Sequence, residues 1–167
     1  MKIKKLSPAT IRKHKGISFP GVTTVFFCYD GAGRLFLTKR SKNTRDEQGK
    51  WEAGGGGLKH GQTAEGNMRR ELLEEYNARP LKTDFIGYFD AFRKIDGTET
   101  HWVVMCFGVK IDPSTAKINE PNMIDDSGWF DIDNLPNPMH SQMKVFMNKH
   151  QEKLLDIINR NTDKKIA

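Results

Sequence analysis

Residues 54–78, GGGGLKHGQTAEGNMRRELLEEYNA, constrain the chain more than any other stretch. Four consecutive glycines, Gly54 to Gly57, bring bare backbone to wherever they lie. They lead into a segment that reads as a short helix. Thr63 is a good N-cap and Glu65 complements the helix dipole in the first turn. Asn77, after Tyr76, suits the left-handed position that ends a helix. Gly66 and Asn67 are poor helix formers, the glycine costing about 1 kcal/mol, so this helix is expected to lean on packing. At about 100° per residue, Glu71, Glu74 and Glu75 fall within an arc of roughly 100°, while Leu72, Leu73 and Tyr76 point elsewhere. Like charges at i,i+4, such as Glu71 and Glu75, cost a few tenths of a kcal/mol, roughly, unless a cation joins them. A hard divalent cation with oxygen ligands meets that need, and the glycine backbone offers carbonyls to a metal or amides to phosphate. Taken alone, such a charged run also suits a solvated helix face.

The flanking elements set the fold class. Val22–Tyr29 is β-branched and aromatic, Asp30-Gly31-Ala32-Gly33 turns the chain, and Arg34–Arg40 returns as a second strand of a hairpin. Residues 41–49 are polar throughout and read as a surface loop, and Lys50–Ala53 is a short extended piece delivering the chain into the glycines. Leu81–Ile95 and Thr98–Ile111 are strand-like runs around an Asp96-Gly97 turn. Residues 112–127 read as mostly polar loop and Gly128–Ile132 as a short strand. A final helix is expected over about residues 139–159, with Val145, Phe146, Leu154, Leu155, Ile157 and Ile158 at roughly helical spacing. Strands on either side of a helix, with a second helix at the end, predict an α/β class fold: an α/β/α sandwich around a mixed central sheet.

At 167 residues the chain suits one domain that buries roughly two-thirds of its unfolded surface. The formal charge is +6, but residues 1–15 carry Lys2, Lys4, Lys5, Arg12, Lys13 and Lys15 with no acid; the remainder holds 21 basic and 21 acidic residues. The excess therefore belongs to a basic tail, expected to be solvated, and argues against a nucleic-acid-binding face across the domain. The division predicted is a tail over 1–18, a domain over 19–161 and a C-terminal tail over 162–167. Cys28 and Cys106 sit singly in apolar runs and read as buried thiols of a reducing compartment. With no apolar segment of spanning length, no membrane partner and a cytoplasmic location are expected.

The central stretch resembles the Nudix box, G-x5-E-x7-R-E-U-x-E-E-x-G-U with U a bulky aliphatic. The match runs through Gly56, Arg70, Glu71, Leu72, Glu74 and Glu75. Gln62 stands where the box has its first Glu, Asn77 where it closes with Gly, and Ala78 at the final aliphatic position. Asn tolerates the same left-handed geometry, and Gln62 keeps a hydrogen-bonding side chain while losing a charge. The resemblance extends from about Pro20 to the final helix, with Trp129-Phe130 and Asn134-Leu135-Pro136 similar to the ending of small Nudix enzymes acting on nucleotides.

The resemblance implies hydrolysis of a diphosphate bond in a nucleoside diphosphate-linked substrate, with Mg2+ or Mn2+ bound. A nucleoside triphosphate or oxidised nucleotide leads the expectation, and ADP-ribose or a nucleotide sugar is the alternative. It implies Glu74 and Glu75 as direct metal ligands, Glu71 as ligand or base, the Gly55 carbonyl as a further ligand, and Arg70 as the residue orienting the glutamates. Glu120, in the loop before the last strand, is the candidate for an additional acid. Arg40 and Arg45 are candidates for phosphate contacts, and Trp102, Phe92 and Phe19 for stacking on a base. A homodimer is common in such a family. A Nudix-fold nucleotide- or RNA-binding module without turnover is the reading from another class, and intact Glu71, Glu74 and Glu75 argue against it.

Overall fold

The structure, a computed structural model, describes residues 7–162. Lys2, Lys4 and Lys5, and the expected C-terminal tail from residue 163, lie outside the described residues. The β-branched and aromatic run forms β1 (Gly21–Tyr29), followed by β2 (Arg34–Arg40), β3 (Trp51–Glu52) and β4 (Gly54–Gly57). The acid-rich helix is α2 (Ala64–Tyr76), preceded near the N-terminus by a short α1 (Pro8–His14). Then come β5 (Lys82–Ile95), β6 (Thr98–Lys110), β7 (Ile124–Asp131) and α3 (Ser141–Arg160). The strands make one mixed sheet in the order β3-β2-β1-β6-β5, with β4 added to β1 and β7 to β2. β1 runs parallel to β6, with Gly21 opposite Trp102 and Phe26 opposite Phe107; its other pairings are antiparallel. Asp96 and Gly97 both take positive φ, 49° and 80°, which gives the β5–β6 hairpin its tight turn.

β1 alternates between two cores. Phe26 and Cys28 face α2 and pack with Met68, Leu72 and Tyr76, while Phe27 and Tyr29 face α3 and pack with Phe146, Leu154 and Ile157. The result is the expected α/β/α sandwich. Val145 departs from the predicted stripe: it is exposed, and Met143 takes the buried place one turn earlier in the packing row with Phe146.

Two polar segments differ from expectation. Residues 41–49 are not simply a surface loop, because Ser41 and Thr44 are buried and the loop folds back onto α3. Arg40 donates to Asp46 Oδ1 at 2.9 Å and to Glu52 Oε1 at 2.6 Å. Glu47 accepts from Arg93 at 2.7 Å and from the Ser141 backbone N–H at 2.8 Å and hydroxyl at 2.5 Å, tying the loop to the first turn of α3. These paired charges let a hydrophilic segment sit against the core. The N-terminal segment is likewise not a free tail over its described part. Ser7 caps α1 by accepting from the Thr10 backbone N–H, and residues 15–19 lie on the sheet, where the His101 N–H donates to Gly16 O at 2.8 Å.

Burial would raise the Glu47 carboxyl, but its bonds from Ser141, with His140 and Lys50 nearby, bring it down to about 2. A carboxyl depressed in the folded state contributes stability above its unfolded value, and that contribution is lost as pH falls towards about 2. Glu47→Ala should lower the unfolding free energy by about 2 kcal/mol near neutrality. Urea denaturation of both proteins should show the difference shrinking below about pH 4, the ordinary carboxylate range.

Candidate active site

α2 brings its carboxylates onto the backbone of β4. Gly55 N–H donates to Glu75 Oε2 at 3.0 Å. A Cβ on Gly54 would stand 2.7 Å from Glu75 Oε2, and one on Gly56 would collide with the Glu71 carboxylate. The glycines therefore leave room for two acids. Asn67, buried within α2, donates to Thr24 Oγ1 at 2.8 Å and to Gly56 O at 3.0 Å, and accepts from Arg70 Nη2 at 2.7 Å. This residue, costly to helix propensity, thus joins helix, strand and arginine. Thr63 and Asn77 cap α2 as expected, with Asn77 left-handed at φ 52°.

Arg70 organises the acids: Nη2 donates to Glu71 Oε1 at 2.5 Å and Nη1 to Glu74 Oε2. Glu71 is nearly enclosed, with 14% of its side chain exposed, whereas Glu74 is 45% exposed on the outer side of the helix. Burial pushes the Glu75 carboxyl well above its usual range, and the charges of Glu52, Glu71 and Glu120 push the same way against the Gly55 bond. Glu120 thereby belongs to the electrostatic environment of Glu75. Its loop is tied to α2, since Asn119 donates through its N–H to Glu75 O at 2.9 Å and through Nδ2 to Glu74 O at 2.9 Å. Among the described residues no three His, Cys, Asp or Glu side chains already form a coordinating group. The donor chemistry nonetheless fits a hard divalent cation. The donors are all oxygen, and Glu75 lies among like charges that disfavour its ionised form.

A cavity of about 320 Å³ opens on the α3 side of the same strands. Thr23, Val25, Gly55 and Gly57 line it along β1 and β4, Gly55 being the residue whose N–H holds Glu75, and Phe89, Trp102 and Phe146 form apolar walls. Trp102 fits against two glycines: a Cβ on Gly16 or on Gly21 would overlap its indole ring. Arg40, Arg45, Glu52 and Arg93 complete the polar side. The structure thus brings Arg40, Arg45 and Trp102 together at one cavity, although Arg40 is already paired with Asp46 and Glu52. Phe92 is not brought there. Strand alternation turns it away from Phe89 and Ala91, leaving it 71% exposed with its ring 4.4 Å from His101. Phe19 is also outside this cavity and lines a separate groove beside α1.

A family model of the NUDIX domain matches residues 19–150. The chain belongs to the NUDIX family. Among curated proteins no sequence relative is found. Solved structures share the fold. A MutT NUDIX hydrolase from Burkholderia pseudomallei is 24% identical, with 78% of this chain and 98% of that chain covered and a TM-score of 0.69. A MutT of the Aliivibrio salmonicida and Vibrio cholerae pair is 19% identical, over 85% of this chain and 99% of that one, with a TM-score of 0.60. A NUDIX hydrolase from Nitrosomonas europaea is 19% identical, over 86% and 88%, with a TM-score of 0.55. As a NUDIX protein the chain is a hydrolase of phosphorus anhydrides, a family that generally uses divalent metals and small nucleotide substrates. No helix among the described residues is long and apolar enough to cross a membrane.

Within this NUDIX site, Gln62 Oε1 lies 3.5 Å from Arg70 Nε, so the amide occupies the place of the missing carboxylate beside the arginine. Sequence reading passed over Glu52 and the bridging role of Asn67. Glu52 follows a tryptophan in a two-residue strand, and nothing local distinguishes it from a surface acid; only the fold sets it between Arg40 and the Glu75 carboxyl. Asn67 did carry a signal, as a residue poor in helices yet retained inside one.

The raised Glu75 carboxyl has a defined sign. Held protonated to higher pH in the folded protein than in the unfolded chain, it makes the metal-free protein lose stability as pH rises from the ordinary carboxylate range towards the raised value. Glu75→Gln should remove that slope and raise the metal-free Tm near neutrality by about 2–4 °C, for a gain of ~1 kcal/mol. The same variant should lose turnover by at least about a hundredfold; thermal melts in chelator and steady-state rates check the pair. Gly56→Ala should displace Glu71 and reduce kcat by a similar factor, of order a hundredfold, while circular dichroism shows the fold retained.

Proposed function

We propose that this protein hydrolyses a diphosphate bond in a nucleoside diphosphate-linked substrate, with a nucleoside triphosphate or its oxidised form as the preferred class. The supporting observation is the contiguity of two unlike environments. The cavity walled by Trp102, Phe89 and Phe146 meets, at Gly55 and Glu52, the strand against which Glu71 and Glu75 are packed. A flat, partly polar base suits the first, and a diphosphate the second.

Glu71 and Glu75, with the Gly55 backbone, Glu74 and Glu120, are assigned to hold Mg2+ or Mn2+. When bound, the cation neutralises the diphosphate and the charge that develops at phosphorus. Arg70 holds Glu71 and Glu74 in register through its two donating nitrogens. Glu71 takes the proton of the attacking water. A new oxygen–phosphorus bond forms as the anhydride bond breaks, giving a nucleotide product and a phosphorylated leaving group. Stacking on Trp102 and the charged wall of the cavity hold the nucleoside end.

A panel of dGTP, oxidised dGTP, ADP-ribose and dinucleoside polyphosphates, each with and without Mg2+, tests this reading. Metal-dependent release of a nucleotide product is expected, with the highest kcat/KM on a nucleoside triphosphate or its oxidised form. Preference for ADP-ribose would reassign the substrate, and no release from any member would exclude the hydrolase reading.

A further inference from the structure

Between α1 and the loop 57–62 runs a groove of about 1060 Å³. Ile11, Phe19 and Val22 supply its apolar surface, with Ile11 and Phe19 44% and 43% exposed. Arg12, Lys15, Lys59 and His60 also line it, and no Asp or Glu does among the described residues. The side chains of Arg12, Lys59 and His60 make no hydrogen bond or ion pair among the described residues. Cations gathered without counter-charges in a concave surface raise the local concentration of anions. Gln62 lines the same groove. Where the Nudix box carries an acid, Gln62 adds no negative charge to this surface.

The groove adjoins the proposed reaction site. Gly57 lines both the groove and the cavity that holds Trp102. Lys15 is fixed at this junction: its Nζ donates to Leu58 O at 2.6 Å and stands 5.6 Å from the Trp102 ring centroid. A substrate with its nucleoside in the cavity and its diphosphate along Gly55–Gly57 would therefore send its remaining end past Lys15 into the groove. We propose that the α1 groove is a subsite for the leaving group, and that this leaving group is a phosphate chain held by Arg12, Lys15 and Lys59. The orientation rests on the function proposed above; the affinity of the groove for phosphate chains does not. The inference also gives the described part of the N-terminal segment a task, as one wall of a binding site.

Calorimetric titration of the full chain with inorganic tripolyphosphate in metal-free, low-salt buffer tests the groove without turnover. Binding by the wild type is expected, weakening as salt is added. Arg12 and Lys59 are exposed and outside the catalytic cluster, so R12E/K59E should fold normally by circular dichroism and bind roughly tenfold more weakly. R12Q/K59Q should fall between the two. On a nucleoside triphosphate that the wild type hydrolyses, R12E/K59E should raise KM by a similar factor, about tenfold, with kcat little changed. Equal tripolyphosphate affinity in wild type and charge-reversed variant, or no binding by the wild type, would overturn the proposal. Binding that behaves as expected in a protein that hydrolyses no nucleotide would overturn the reaction and uphold the groove.

Discussion

The site depends on two carboxylates pressed against a backbone without side chains. Glu71 and Glu75 reach β4 only because Gly54 and Gly56 leave the space, and α2 stays there because Met68, Leu72 and Tyr76 are buried against Phe26, Cys28 and Phe36. The edge-to-face contact of Tyr76 with Phe26, at 5.3 Å, lies directly behind the acids. Hydrophobic packing thus holds together groups that electrostatics drives apart. Arg70 offsets part of that repulsion and Asn67 fixes the distance between helix and strand. The cluster is an arrangement in which like-charged groups are held together at a cost in stability.

The two faces of the sheet are built by different means. On the α2 side the packing is apolar up to the carboxylates. On the α3 side, the polar network of Arg40, Asp46, Glu47 and Arg93 fastens a loop and the start of a helix around the cavity. Glu52 belongs to both, bonded to Arg40 on one side and felt by Glu75 on the other. It therefore couples the wall of the cavity to the acid cluster across a single residue.

Much of this was legible in the chain. The α/β/α class, the caps of α2, the Asp96-Gly97 turn and the Nudix box follow from patterns that act locally or at fixed spacing. Residues 41–49 did not, because burial of a polar segment requires charged or donating partners on β2, β5 and α3 that no local pattern connects. The packing of residues 15–19 was hidden for the same reason: Lys15 and Gly16 read as part of a solvated tail until Leu58 and Trp102 stand beside them. Phe92 illustrates the opposite error, an aromatic chosen by type when the two-residue period of its strand decides its direction.

The seating of Trp102 on Gly16 and Gly21 has a consequence for how such a cavity can change. Its breadth on that side is gauged by hydrogen atoms outside it rather than by any side chain within it. A methyl group at either glycine would overlap the indole and force it to shift, reshaping the cavity while the identity of every lining residue stays the same. The shape of the cavity can therefore drift through substitutions that a comparison of its walls alone would never register.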